Sequence, residues 1–410
     1  MIRVRDRIHG MDVQSVRQTN AKSVLRALRS CGRLRRKEIA EITNLSTATV
    51  SRVVSELISS NLVVEVETHS NGSVGRNSAM LDINGSGGWV LAVDIGSSHI
   101  STTAIDLAGY VKETLTRPLR NVVGEELFAP AVLSAIRDAT EALSPKIGKP
   151  MAIGISCCGT IDTSRGMIKL SFNLGLENYP VGPLVQNAFG FPVVVINNIA
   201  ASAFAELKRG HGLDRQFFAY VAIGVGIGAS LVFNGSILTG ENDEEGEFGL
   251  MVAAQEGDPE RLHGRGYLEA ISSGRGIASS ARRAMEAGAE SILGDLSGGN
   301  PTAITAEMVA EAADKGDAVA IGIMSRAAEC LGVAIVNVAH LTKLNLFIVY
   351  GGPSKAGEVF WKPLREAVDR FAYWPGQIRL EKSLVEGDTA LLGAGLFALD
   401  RVFDHANRNN

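Results

Sequence analysis

Two apolar runs end in glycine-dense turns about 130 residues apart, and this recurrence restricts the fold more than any other feature of the chain. The first is Trp89-Val90-Leu91-Ala92-Val93-Asp94-Ile95-Gly96-Ser97-Ser98-His99, with Ile100 to Leu107 reading as the returning strand. The second runs from Phe218 to Ile223 into Gly224-Val225-Gly226-Ile227-Gly228-Ala229 and returns through Ser230 to Gly235. Apolar stretches closed by glycine read as hairpins. Either one alone has an ordinary explanation, since glycine is the common residue of a tight turn. Two of them in a 410-residue chain predict an internally duplicated α/β body, in a protein long enough for two or three domains.

The residues ahead of the first hairpin carry a different charge. Positions 1–84 hold 13 Lys and Arg against 8 Asp and Glu, a net of +5, which leaves −9 for the remainder of a chain whose total is −4. A basic head on an acidic body predicts that the head meets a polyanion. Three helical patterns fit into it. The first carries Ala21, Val24, Leu25 and Leu28 on one stripe and ends near Cys31-Gly32; the second covers Arg35 to Thr43. In the third, Ser46 reads as N-cap and Val50, Val53, Val54, Leu57 and Ile58 form the apolar face, opposite Ala48, Thr49, Arg52, Ser55 and Glu56. Leu62 to Glu67 reads as a strand, 70–76 as a loop and Met80 to Ile83 as the returning strand.

That order predicts a winged helix-turn-helix whose third helix enters the major groove. Arg52 could bond guanine, Ala48 could touch a thymine methyl, and Thr47 or Thr49 could reach a base or phosphate, with Arg76 near the wing tip. A three-helix protein-binding module needs the same apolar stripes. The positive charge, the polar outer face and the basic wing favour DNA. The small residues Asn84-Gly85-Ser86-Gly87-Gly88 read as a flexible linker between head and body.

No apolar run reaches the roughly 18–20 residues of a membrane span, and Met1 to Gly10 lacks the pattern of a signal segment. A cytoplasmic protein without a membrane partner is expected. Cys31, Cys157, Cys158 and Cys330 lack metal-ligand spacing and read as small buried apolar residues, the adjacent pair being unable to close an ordinary disulfide.

From Val16 to Gly395 the motifs fall in a known order: Arg17-Gln18-Thr19-Asn20, Leu45-Ser46, Gly75-Arg76, Asp94-Ile95-Gly96, Gly224 to Gly228, Gly246-Glu247-Phe248-Gly249, Leu268-Glu269, Gly351-Gly352 and Gly393-Ala394. In this the chain resembles the ROK family of repressors, open reading frames and sugar kinases, and its head places it with the family's regulators of sugar use. The resemblance implies a winged helix-turn-helix at 1–84, a linker at 85–89 and a two-lobed actin-like body of the duplicated, ribonuclease H-like sugar-kinase type. Its first lobe would take 90–203 and 386–410 and its second 204–385. It also implies a sugar in the cleft between lobes, met by Gly159, Asn173, Asn197, Asn198, Glu247 and Glu269. Ionised carboxylates and amides are suitable partners for a ring of hydroxyls. The same residues have plainer readings: Asn197 and Asn198 as caps of the helix beginning at Ile199, Glu247 as a solvated loop charge, and Glu269 as a first-turn acid favouring the helix dipole.

Departures from the family pattern carry the functional expectation. Asn198 stands where the family's kinases hold the aspartate that accepts the sugar hydroxyl's proton, and an amide is no general base near neutral pH. Val225 stands where the family's second phosphate loop carries a threonine, and Ser97-Ser98 stand where its first loop carries a Gly-Thr pair. Leu250, Glu260, Leu262 and Tyr267 occupy the positions of a family zinc site, and His263 nearby reads as a loop residue, so no metal is expected. The chain is therefore expected to be a sugar-responsive DNA-binding regulator, a repressor sooner than an activator, without catalytic residues or cofactor. Its partners would be operator DNA, a sugar or sugar derivative, and a second copy, with a tetramer as the alternative assembly. The rivals are an active sugar kinase with a DNA-binding head and a regulator that senses a protein partner.

Overall fold

The computed structural model describes residues 13–66, 79–119, 122–213, 215–241, 246–253 and 267–405. They fall into two units, Met1–Ile196 with Ala394–Asn410, and Asn197–Gly393. The first opens with helices α1 (Val13–Cys31), α2 (Arg36–Thr43) and α3 (Thr47–Ser59). The Glu38 carboxylate accepts the Arg35 N–H at 2.6 Å and closes the start of α2. Asn44 ends α2 in the left-handed region at φ 55°, a conformation asparagine tolerates better than most residues. Ser46 Oγ accepts the Thr49 N–H at 3.1 Å, the cap its sequence position predicts. Val24, Leu25, Leu28, Ile39, Val50, Val53, Val54 and Leu57 are all buried where the helices meet. Strands β1 (Val63–Val66) and β2 (Met80–Ile83) pair antiparallel, Val63 opposite Ile83. The wing loop expected at 70–76 lies outside the described residues.

The linker is ordered. Gly85–Gly87 form a 3-10 turn, and Asn84 Nδ2 donates to the Asn61 carbonyl and side-chain oxygen at 3.0 and 2.7 Å. A Cβ at Gly87 would lie 1.9 Å from the Asn61 carbonyl oxygen. The expectation of a loose connection is corrected here: glycine serves close backbone approach, and the connection is pinned to the end of α3.

The rest of this unit is a five-stranded sheet in the order β10-β6-β3-β4-β5, from β3 (Trp89–Ile95), β4 (His99–Asp106), β5 (Val111–Pro118), β6 (Ile153–Cys157) and β10 (Val193–Asn197). A smaller sheet holds β7 (Thr160–Asp162), β8 (Met167–Ser171) and β9 (Leu176–Tyr179). Helices α4 (Glu125–Ile147) and α5 (Val181–Phe189) complete it, with the C-terminal part of the last helix described below. Every residue of β3 is buried, because both faces of the strand are covered. Leu91, Val93 and Ile95 meet the α4 side chains Phe128, Val132 and Ile136. On the other face a Cβ at Gly395 would be 3.0 Å from that of Ala92.

The second unit repeats the plan with β13-β12-β11-β14-β15. It begins with α6 (Asn198–Arg209), β11 (Phe218–Ile223), β12 (Ile227–Phe233) and β13 (Ser236–Ile237). It continues through α7 (Tyr267–Ser272), α8 (Gly274–Glu286), α9 (Leu293–Leu296), α10 (Ala306–Asp314) and α11 (Ala318–Thr342). β14 (Leu346–Gly351), α12 (Glu358–Phe371), β15 (Arg379–Lys382) and α13 (Thr389–His405) complete the chain. In both sheets a hairpin, β3–β4 or β11–β12, lies beside a strand that runs parallel to its first arm, β6 or β14. This is the duplication the glycine turns predict. Among the described residues α11 alone is long and apolar enough by composition to cross a membrane, although Arg326 and Glu329 interrupt its apolar sequence. Its Met324, Ala327, Leu331 and Ile335 are instead buried in the core of the unit.

Candidate functional site

α3 offers Thr47, Ala48 and Arg52 on its exposed face, and Arg52 has no ion pair among the described residues. Thr49 is half-buried, with its hydroxyl 2.8 Å from Ser46 Oγ, so it is engaged in the cap. Arg33 and Arg36 spend their charge on Asp82 and Glu65 of the wing strands, at 3.0 and 2.6 Å. The face able to meet DNA is thus narrower than the head's net charge suggests. Arg76 lies outside the described residues.

In the first unit, Gly159 adopts φ +112°, and a Cβ there would lie 2.3 Å from the Leu170 carbonyl oxygen and 2.9 Å from the Ser171 Cβ. That packing sets the Gly159 loop beside the exposed turn carrying Asn173. Cys158 stands next to Gly159 with its Sγ 3.7 Å from Ser171 Oγ. Hydrogen bonding from the Cys157 thiol, helped by Ser171, draws the Cys158 thiol down to about 7; the same pairing and burial push Cys157 up. At the first hairpin Asp94 is buried, accepts from Ser156 Oγ at 2.5 Å and lies 3.8 Å from His99 Nε2.

In the second unit Asn197 caps α6, its Oδ1 accepting from the Ile199 and Ala200 N–H groups at 2.8 and 3.1 Å. Asn198, the first residue of α6, is half-buried, and its carbonyl accepts from Ser202 Oγ at 2.9 Å. A Cβ at Gly228 would meet Ile199 Cδ1 at 2.3 Å, which seats the second hairpin on the start of α6. The loop carrying Glu247 lies along β12, with Ala229 N–H bonded to the Gly246 carbonyl at 3.0 Å. Glu247 is exposed at the start of the 3-10 turn Phe248–Leu250. Glu269 accepts the Ile227 N–H at 3.1 Å, so one of its oxygens already clasps the hairpin. Asn197, Asn198, Glu247 and Glu269 thus share one contiguous region, while Gly159 and Asn173 form a second cluster in the other unit.

Sequence reasoning missed a cavity of about 400 Å³ at the second hairpin, lined by Val225, Gly274, Arg275, Arg282, Glu307 and Gly352 among others. Arg282 Nη2 donates to the Ile304 carbonyl at 2.7 Å, and its Nε is buried with no hydrogen-bond partner among the described residues. The i, i+7 spacing of the two arginines on α8 was the available signal. Leu250 is exposed at the position the resemblance assigns to a zinc histidine; Glu260, Leu262 and His263 lie outside the described residues, and nothing is described of the Tyr267 side chain.

A winged head on a duplicated sugar-kinase-like body defines a class of DNA-binding proteins built on a kinase scaffold. The chain belongs to the ROK family: the family profile matches residues 90–401, and a winged helix-turn-helix DNA-binding profile matches 17–64. It is 25% identical over 381 residues to a putative xylose repressor of Caldicellulosiruptor sp. (strain Rt8B.4), covering 92% of this chain and 94% of that one. It is 28% identical over 285 residues to a glucokinase of Halalkalibacterium halodurans, covering 69% and 86%. Its fold superposes on a crystal structure of a ROK family transcriptional regulator, a homologue of the E. coli MLC protein. The TM-score is 0.84 at 22% identity, over 96% of this chain and 98% of that one.

Proposed function

We propose that the chain is a sugar-responsive transcriptional repressor that binds a sugar without phosphorylating it. The observation that carries this reading is the join itself: one chain holds both the DNA-binding profile at 17–64 and the kinase-like body at 90–401. The residues put forward for contact with the sugar are Gly159, Asn173, Asn197, Asn198, Glu247 and Glu269. The amide at Asn198 can exchange hydrogen bonds with a hydroxyl, yet it cannot remove the proton, a step worth roughly 10²- to 10⁴-fold in rate. Thr47, Ala48, Arg52 and Arg76 meet the operator, with Thr49 supporting the reading helix. The working parts are the head at 1–84, a connector at 85–89, a first lobe of 90–203 with 386–410 and a second of 204–385. The protein acts in the cytoplasm as a homodimer on a palindromic operator, because a helix-turn-helix reads two half-sites through a two-fold axis. It uses no cofactor and no metal.

Ligand response requires unequal sugar affinity in operator-competent and operator-incompetent states. A thermal-shift screen with D-xylose, D-glucose and their phosphates tests the first step, since a ligand of the native state raises stability by mass action. A shift with one of these, and no ATP-dependent sugar phosphate in a coupled assay, is the expected result. The cavity lined by Arg275 and Arg282 favours one second reading, an active sugar kinase with a DNA-binding head, and turnover in that assay would select it.

A further inference from the structure

Arg29, in the last turn of α1, leaves the DNA-binding head to meet the end of α13. Its Nη1 pairs with the Asp400 carboxylate, and its guanidinium lies 5.0 Å from the centroid of the Phe403 ring. The Arg29 side chain is only 17% exposed and Phe403 is buried, so this grip is better shielded than an ordinary surface ion pair. One and four residues before Arg29, along the same helix, lie Leu28 and Leu25, buried in the core that also holds Val50, Val53 and Val54 of α3. A movement of α13 relative to the head therefore acts on the helix that carries α3.

The other end of α13 is tied to the region of Asn198. Thr389 Oγ1 donates to Ser202 Oγ at 2.9 Å, and Ser202 Oγ donates to the Asn198 carbonyl at 2.9 Å. One helical turn further, a Cβ at Gly393 would lie 1.8 Å from the Ala201 carbonyl oxygen, so α6 and α13 touch backbone to backbone. The buried Glu206 carboxylate fastens α6 again, accepting the Ser383 hydroxyl and, at 3.2 Å, the Val385 N–H in the segment that leads into α13. Past Gly393 the helix runs on with Ala394 and Ala398 against Gly154, and Gly395 against Ala92 and Ile105.

We propose that α13 is the transmission rod of this regulator and that the Arg29–Asp400–Phe403 grip is its output, passing the state of the α6 N-terminus to the DNA-reading head. This rests on the proposed sugar response. Two features support it physically: hydrogen bonds lead from the Asn198 carbonyl into one stiff helix, and the far end of that helix holds the head by a charge and an aromatic face.

The test uses the full chain, an operator selected from random DNA, and whichever of D-xylose, D-glucose or their phosphates raises the melting temperature of the unaltered protein. Asp400→Asn removes the ion pair at constant side-chain size, and Arg29→Gln removes both the ion pair and the cation over Phe403 with a shorter polar side chain. Both variants should keep the sugar-induced melting shift and the affinity for operator without sugar. The ratio of operator Kd with sugar to that without should fall from the unaltered protein's value to within twofold of one, and a charge-reversed pair, Arg29→Asp with Asp400→Arg, should restore part of it. An unchanged ratio in both single variants overturns the proposal. If Asp400→Asn does not fold, Arg29→Gln decides alone. If the unaltered protein shows no sugar response, the functional reading fails, and amide hydrogen exchange of α1 then judges the grip by itself. Faster exchange along α1 in the variants supports it; identical exchange overturns it.

Discussion

Asn197 and Asn198 sit side by side and do different work. Asn197 Oδ1 holds two backbone N–H groups of α6, so its oxygen is committed to the fold, and the sugar contact proposed for this residue falls to its amide N–H₂. Asn197→Ala should therefore cost about 1 kcal/mol of stability as a lost cap. Asn197→Asp keeps the acceptor and should melt near the unaltered protein while losing the sugar-induced shift; thermal unfolding with and without the sugar separates the two effects. Cys158 offers a pH test of the Gly159 loop. With its thiol drawn down to about 7, the thiolate forms as pH rises through neutrality, well below the usual range of a free cysteine. Iodoacetamide labelling of Cys158 should climb between pH 6 and 8 on the order of tenfold, while Cys157, buried and shifted upward, stays unlabelled. Mass spectrometry of the labelled peptide checks both sites, and a rise only above about pH 8.5 would show that the Cys157–Ser171 environment is absent.

At the scale of the element, α3 is the proposed reader. Arg52→Ala should cost roughly 1–3 kcal/mol of operator affinity and relax base preference at one position, as measured by gel shift over a set of operator variants. Ser46→Ala weakens the same helix indirectly, by about 1 kcal/mol of cap energy, and leaves preference unaltered. The crossing of α6 and α13 has less room. Gly393→Ala puts a methyl 1.8 Å from the Ala201 carbonyl oxygen, where backbone must move, and should destabilise by about 1–3 kcal/mol or more in a denaturant titration. Elements written in local pattern were legible from sequence: the hairpins of β3–β4 and β11–β12, and the cap and stripe of α3. The linker was misread because its order comes from Asn61, more than twenty residues earlier. Glu269 was legible as a helix-start acid, yet its clasp on the Ile227 N–H depends on a residue 42 positions away. Arg29 gave no sequence signal at all, because its partner Asp400 stands 371 positions on.

Across the whole molecule the charge split takes on a definite sense. A head of net +5 faces the polyanion, although the pairs of Arg33 with Asp82 and Arg36 with Glu65 hold two of its arginines in structure. Operator affinity should still fall steeply with salt, since each lysine or arginine that neutralises a phosphate releases counterions. The decisive measurement is a titration of fluorescent operator with the full chain, with and without a saturating sugar that shifts its melting temperature, in the presence of Mg-ATP and with sugar phosphate assayed in the same samples. The account predicts that sugar weakens operator binding by about fivefold or more, the usual scale of a coupling free energy near 1 kcal/mol, and that no sugar phosphate accumulates. Equal operator affinity with and without sugar, accompanied by steady formation of sugar phosphate, would contradict it.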